Sequence, residues 1–300
     1  MKRGESNRGK LLKKRSKQMC VIVYKPKNSK IRLNTLKACW DANPHGAGIM
    51  WADDGKVFGI KGLMKFKDLE TILRKSEMVT DDDRVNGDLG LVFHFRLATH
   101  GGISPENCHP FPISDDMADL KALHWEDDLG VAHNGVIDID GIEDGDSDTQ
   151  TYIESYLAEY KARLRKFDEA TLKQVDWEVA PCRLFILRGD GRFKVIGKWF
   201  RNDQGVWYSN MIWWDKYKTK QNQDKKQVAK QAPKQAPPSK RGFPMFDRGN
   251  HQTNIGAFME RRKAEGKATC KADDNKADDA RTIMERAIAA VHNRNYPSWN

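Results

Sequence analysis

The tightest constraint on the fold lies at residues 91–98, where Leu91, Phe93, Phe95 and Leu97 alternate with Val92, His94, Arg96 and Ala98. Period-2 alternation predicts a half-buried strand. It breaks at Thr99-His100-Gly101-Gly102, where two glycines allow the backbone to bend. Arg96 therefore sits near a strand end, with a hydroxyl, an imidazole and a flexible turn beyond it. That grouping suits a small carboxylate, because arginine offers a planar two-pronged donor and Thr99 a further hydrogen bond. The same residues also read as a strand with an ion-paired arginine followed by a plain turn.

Other strand-like segments flank this one. Met19-Cys20-Val21-Ile22-Val23-Tyr24 is an abrupt apolar strand, and the simple reading of Cys20 is a buried core thiol. Residues 46–60 predict a hairpin about Asp53-Asp54-Gly55, with Gly46, Gly48 and Gly59 marking close approach of another backbone or a ligand. Residues 67–78 predict a helix from Leu69, Ile72 and Leu73. Leu129–Ile137 reads as a strand interrupted by Asn134-Gly135. Asn-Gly is a common hairpin turn, but an exposed Asn134 amide beside the Gly135 N–H would also place two neutral donors on one point, as an oxyanion hole requires. Ser147 or Asp148 caps a predicted helix with a stripe of Tyr152, Ile153, Tyr156, Leu157, Tyr160 and Leu164. Residues 184–199 predict a further hairpin and 206–212 a last strand.

Charge divides the chain. Residues 1–18 hold eight Lys/Arg against one Glu, residues 19–215 are net −7, and residues 216–300 are net +10. An acidic globular region with basic extensions is the expectation, so only the extensions could attract nucleic acid. Residues 1–18 are the basic N-terminal extension or propeptide and 19–216 the globular domain. A Lys/Gln/Pro-rich linker follows over 217–250, then a partly helical basic tail over 251–300. The extensions are expected to be disordered. No apolar run is long enough to span a bilayer and the first 18 residues lack a signal-peptide core, so no membrane partner and a cytoplasmic location are expected. Five scattered cysteines without a CxxC pair fit reduced thiols.

The order of these motifs resembles the class II glutamine amidotransferases, which are N-terminal-nucleophile hydrolases. The resemblance runs from about Met19 to Ile212. It comprises Met19-Cys20, the Asn43–Gly48 turn, Phe-His-Phe-Arg-Leu-Ala-Thr-His-Gly, Asn-Cys-His-Pro-Phe, His-Asn-Gly, Ser-Asp-Thr-Gln and Tyr208-Ser209-Asn210. It implies an α/β fold, a four-layer α/β/β/α sandwich of two mainly antiparallel sheets, with L-glutamine as substrate. Cys20 matches the nucleophile, whose own α-amine is the base and which must therefore be the mature N-terminus. Arg96, Thr99 and His100 match the residues holding the glutamine carboxylate, and Asp148 the partner of its amine. Asn134 and Gly135 match the oxyanion hole, and His109 a structural histidine near the site. Leu97 departs from the family, many of whose members carry tryptophan there. The 19 residues before Cys20 require either a start at Met19 or removal of a propeptide.

The resemblance implies no cofactor, and a separate synthase or acceptor protein to take the ammonia. Five histidines between His94 and His133, with Cys108 among them, match no zinc framework, so no metal is expected. The competing reading is a catalytically silent domain of the same fold whose basic tails hold nucleic acid or a protein partner.

Overall fold

A computed structural model of the chain describes residues 19–99, 101–215 and 217–218. The expectations for 1–18 and for the linker and tail beyond 218 lie outside the described residues, as does His100. In chain order the elements are β1 (Val21–Lys25), β2 (Ile31–Arg32), α1 (Leu33–Ala42), β3 (Ala47–Asp53), β4 (Lys56–Leu63), α2 (Phe66–Lys75), β5 (Arg84–Val85) and β6 (Leu91–Phe95). Then come β7 (Phe111–Pro112), α3 (Met117–Lys121), β8 (His124–Asp127), β9 (Leu129–Asn134) and α4 (Asp148–Tyr152). The last are α5 (Lys161–Leu164), α6 (Glu169–Val179), β10 (Arg183–Arg188), β11 (Phe193–Ile196), β12 (Phe200–Arg201) and β13 (Trp207–Tyr208).

The fold is mixed α/β, with sheets of seven, four and two strands. The large sheet runs β12-β13-β1-β6-β3-β4-β8 and the second β11-β10-β9-β7, every pairing antiparallel. Alternation assigns the faces. Val21, Val23, Leu91, Phe93 and Phe95 point into one apolar cluster with Leu36 and Cys39 of α1 and Leu69 and Leu73 of α2. Ile22, Met50 and Val92 point the other way, into a cluster shared with Ala132, Phe185 and Leu187 of the second sheet. The opposite face of that sheet, through Leu129, Val131, Leu184 and Ile186, packs on Ile153, Leu157, Leu164 and Val175.

β6 is therefore not half-buried. All of Leu91–Arg96 is buried, because the second sheet covers the face that alternation alone leaves to water. The 46–60 hairpin forms as expected, turning at Asp54-Gly55. Gly46, Gly48 and Gly59 meet neighbours, while Gly55 at the turn faces open space. A Cβ at Gly48 would lie 2.2 Å from the His109 carbonyl and 2.7 Å from that of Ile60, and one at Gly59 would lie 2.0 Å from the Trp125 indole. The stretch after Ser147 departs from a regular helix. α4 passes into a π-turn at Ile153–Leu157 and a 3-10 turn at Ala158–Tyr160, which leaves Tyr156 48% exposed and off the expected stripe. β9 ends at Asn134 without turning back as a hairpin; its neighbours are β10 and β7.

Candidate active site

Cys20 stands just before β1, and its ties are to backbone. The Leu97 N–H points at its sulfur at 3.2 Å, and the thiol faces the Leu97 carbonyl at 3.5 Å. Asn210 donates from Nδ2 to the Cys20 carbonyl at 2.6 Å. Two residues on, Ile22 N donates to Ser209 Oγ at 2.8 Å while Ser209 N donates to the Ile22 carbonyl at 3.0 Å. The residue as a whole is half-buried, not the sealed core thiol of the simplest reading. Its sulfur is still shielded enough that desolvation pushes the thiol up to about 11, with the Asp148 carboxylate adding to the rise and the Arg96 guanidinium opposing it. Both charges therefore lie within electrostatic reach of this sulfur.

Arg96 follows β6 directly. Its N–H donates to the Gly46 carbonyl at 2.8 Å and its own carbonyl accepts from His45 N at 3.1 Å, so the glycine turn before β3 holds this residue in place. The side chain is 3% exposed and donates from Nη1 to the Gly102 carbonyl at 2.6 Å, reaching the bend that the two glycines form. Gly101 has φ +70°, and a Cβ there would lie 2.6 Å from the Asp146 carbonyl, so only glycine suits the position. Asn107 Nδ2 clamps this bend, donating to the Gly101 carbonyl and, at 2.8 Å, to that of Gly145. Thr99 is exposed in the bend.

The same clamp brings in Asp148. Ser147 is the helix cap, its Oγ accepting from Gln150 N at 3.3 Å while Gln150 Oε1 accepts from Ser147 N at 3.1 Å. Capping therefore does not occupy Asp148. Its Oδ2 accepts from Ile137 N at 2.7 Å and its Oδ1 from Thr149 N at 2.9 Å, tying the segment after Gly135 to the head of α4. A carboxylate has lone pairs beyond these two bonds.

Asn134 is fully buried, not exposed as the sequence suggested, because Ser209 covers it from the facing sheet. Its Nδ2 donates to Ser209 Oγ at 2.8 Å, and its Oδ1 is buried without a partner. Turning the amide over is sterically neutral. Ser209 would then donate to Oδ1 while still accepting from Ile22 N, and the NH2 would face the place the oxygen now takes. That arrangement exchanges a buried acceptor without a partner for a buried donor without one, a donor free for an oxygen arriving at that place. Gly135 is required by contact, since a Cβ would lie 2.2 Å from Cys182 Sγ and 2.7 Å from its Cβ.

His109 lies behind these groups in a buried stack. Its ring is 4.2 Å from His94 and 6.1 Å from His133, centroid to centroid. His133 Nδ1 pairs with Thr149 Oγ1 at 2.8 Å, and His94 Nε2 with the His133 carbonyl at 3.0 Å. Desolvation lowers all three histidines. Beside them Lys61, 1% exposed, donates from Nζ to the Glu106 carbonyl at 2.5 Å and to that of Leu120, with its ammonium 4.1 Å from the Phe111 ring centroid. Among the described residues no group of three or more His, Cys, Asp or Glu is placed to hold a metal.

The structure thus puts Arg96 and Asp148 within electrostatic reach of Cys20 and links Asn134, through Ser209, to Ile22 two residues after it, with His109 as a buried support. Ser209, Asn210, Asn107 and the Leu97 backbone were given no role by sequence reasoning. Ser209 and Asn210 stand in the Tyr208-Ser209-Asn210 motif of the resemblance and Asn107 in Asn-Cys-His-Pro-Phe, but neither motif says what these side chains bind. No protein-family model matches this chain, and no curated protein matches it.

Proposed function

We propose that this chain hydrolyses the side-chain amide of glutamine through an N-terminal cysteine, as a class II glutamine amidotransferase domain. The observation that carries the reading is that the Cys20 sulfur is held at 3.2 Å by the N–H of Leu97, next to the buried Arg96, while the buried Asp148 carboxylate binds the segment just after Gly135. Arg96 and Asp148 are the charges needed to hold the α-carboxylate and α-ammonium of a free amino acid. Arg96 takes the carboxylate, a role the resemblance extends to Thr99 and His100, and Asp148 takes the ammonium. The three apolar clusters, one shared by the large sheets and one on the outer face of each, support the four-layer α/β/β/α sandwich of N-terminal-nucleophile hydrolases.

The chemistry follows from the state of the sulfur. At about 11, only about one thiol in ten thousand is ionised at pH 7. A base is therefore required, and an α-amine with an ordinary pKa near 8, part of it unprotonated near neutral pH, is the one that residue 20 itself would carry. With residue 20 at the N-terminus, the amine takes the thiol proton and sulfur attacks the amide carbon. The Gly135 N–H and the turned-over Asn134 amide face the resulting oxyanion. Collapse expels ammonia, which carries away the proton from the amine, and water then cleaves the thioester to release glutamate.

The test is intact-mass analysis and N-terminal sequencing of protein from its native host, with glutaminase assays of the chain begun at Met19 and of Cys20→Ala. Activity in the Met19-start protein that vanishes in Cys20→Ala is expected. Equal activity with residues 1–19 still attached refutes the amine mechanism. Release of no ammonia by either form, with candidate acceptor proteins present, refutes the reading.

A further inference from the structure

Arg183 opens β10 directly opposite Asn134 on β9, so the strand that ends at the proposed oxyanion hole has a guanidinium as its cross-strand neighbour. Its Nη1 lies 3.8 Å from the sulfur of Met19, the residue immediately before the nucleophile. Its Nε donates to the Lys198 carbonyl at 3.3 Å, which aims the fork toward residue 19. No carboxylate pairs with Arg183 among the described residues, whereas the neighbouring Arg188, Arg192 and Lys194 all have acidic partners. Its charge and that of Asp148 both act on the Cys182 thiol, so its field reaches the same ground as the site carboxylate. Among the described residues this half-exposed guanidinium has a carbonyl and a thioether for neighbours and no carboxylate.

We propose that Arg183 is a positioning charge for the reaction: once residue 20 is N-terminal, its guanidinium disfavours the ammonium form of the Cys20 α-amine and keeps that amine ready to accept a proton. This rests on the amidotransferase reading above, which supplies the free amine. Removing Met19 takes away the thioether on which the Arg183 guanidinium rests and turns the adjoining nitrogen, that of Cys20, into a free amine. A neighbouring like charge disfavours protonation of an amine, and a guanidinium stays charged throughout the working pH range. The other charged and titratable groups around residue 20 do not duplicate this role. Arg96 and Asp148 oppose one another. His45 is lowered by burial and by Arg96, and Cys182 is held as a neutral thiol near 11 by burial. Arg183 is the charge applied from the side of the chain that is removed.

The test uses the chain begun at Met19 and carried through Asn300, with loss of Met19 verified by mass. The α-amine is titrated directly by competitive acetylation across pH, read by mass spectrometry on the N-terminal peptide. The pH profile of kcat/KM for ammonia release is measured alongside. The amine of Arg183→Gln is expected to titrate about half to one pH unit higher than that of the unsubstituted chain, with the acidic limb of kcat/KM moving with it. Arg183→Lys, which keeps the charge, is expected to restore the original value. An unchanged amine titration in Arg183→Gln, or one shifted equally in Arg183→Lys, overturns the inference whether or not glutamine is turned over. A shifted amine in a protein that releases no ammonia supports the role of Arg183 and instead defeats the amidotransferase reading.

Discussion

Three buried histidines set the acid limit of this fold. His94, His109 and His133 are 0%, 5% and 3% exposed, and burial brings His94 down to about 3 and His133 to about 4. His109 is pressed well below its ordinary value by burial and by the two rings beside it. In the unfolded chain each binds a proton near pH 6.5. Below that pH the unfolded state holds more protons than the folded one, so stability falls as pH falls. The full contribution is present above about pH 6.5 and is lost progressively down to the folded values. Between pH 7.5 and 5.5 each neutral ring costs about 1.4 kcal/mol, or roughly 4 kcal/mol for the three. Lys61, lowered by burial to about 7, adds up to ~1 kcal/mol in the same direction. The carboxylates held low by partners, at Asp82, Asp128, Asp168 and Asp190, are exposed or partly so and change protonation at still lower pH, so this window isolates the buried bases.

A domain typically has only roughly 5–15 kcal/mol in hand, so the loss will be plain in urea melts followed by tryptophan fluorescence at pH 7.5, 6.5 and 5.5. His109→Leu removes one of the three rings and should reduce the acid-induced drop by about a third. A urea midpoint that stays flat over this range would refute the burial argument. So would a folded-state histidine resonance from this stack that titrates near pH 6.5.

Four further outcomes are expected. Gly135→Ala, whose Cβ would sit 2.2 Å from Cys182 Sγ, should cost about 1–3 kcal/mol in urea melts, and Cys182→Ala should relieve only part of that because Cys182 Cβ stays 2.7 Å away. Ser209→Ala strips the partner from both Ile22 N and the Asn134 amide, so about 2 kcal/mol of stability and about tenfold in kcat should go together. Asp148→Asn keeps the shape but loses the charge, and steady-state kinetics should show KM for glutamine raised about tenfold or more. Lys61→Met leaves the Glu106 and Leu120 carbonyls without their buried donor and should lower stability by about 2 kcal/mol at pH 6.

Local pattern made β1, β6, the β3–β4 hairpin and α2 legible, since each is written in residues close in sequence. The second buried face of β6 was not, because what covers Val92 is Phe185 and Leu187, over ninety residues later. The glycines show the same division. Their clustering told of close approach, but only the fold identifies the His109 carbonyl as what lies against Gly48 and Cys182 as what lies against Gly135. At the head of α4, Ser147 and Asp148 were interchangeable as caps on sequence grounds. The capping box with Gln150 assigns the role to Ser147, and the Ile137 N–H explains why a carboxylate follows it. The break of that helix into π and 3-10 turns has no signal that periodicity could detect, since Tyr156 and Tyr160 keep the spacing of a regular stripe.

The ties around Cys20 bear on what a cut at that point would disturb. Among the described residues, the hydrogen bonds that fix it come from its thiol, its carbonyl and the peptide that follows, through Leu97, Asn210 and Ser209. Met19 is touched through its thioether by Arg183. A break between residues 19 and 20 therefore severs none of the bonds that hold the sulfur in place, and β1 begins its pairing with β6 only at Val21. Among the described residues, the proposed nucleophile is anchored from downstream alone. An N-terminal amine acting as base needs that asymmetry: the sulfur must keep its position while the group on its other side changes from a peptide to a free amine.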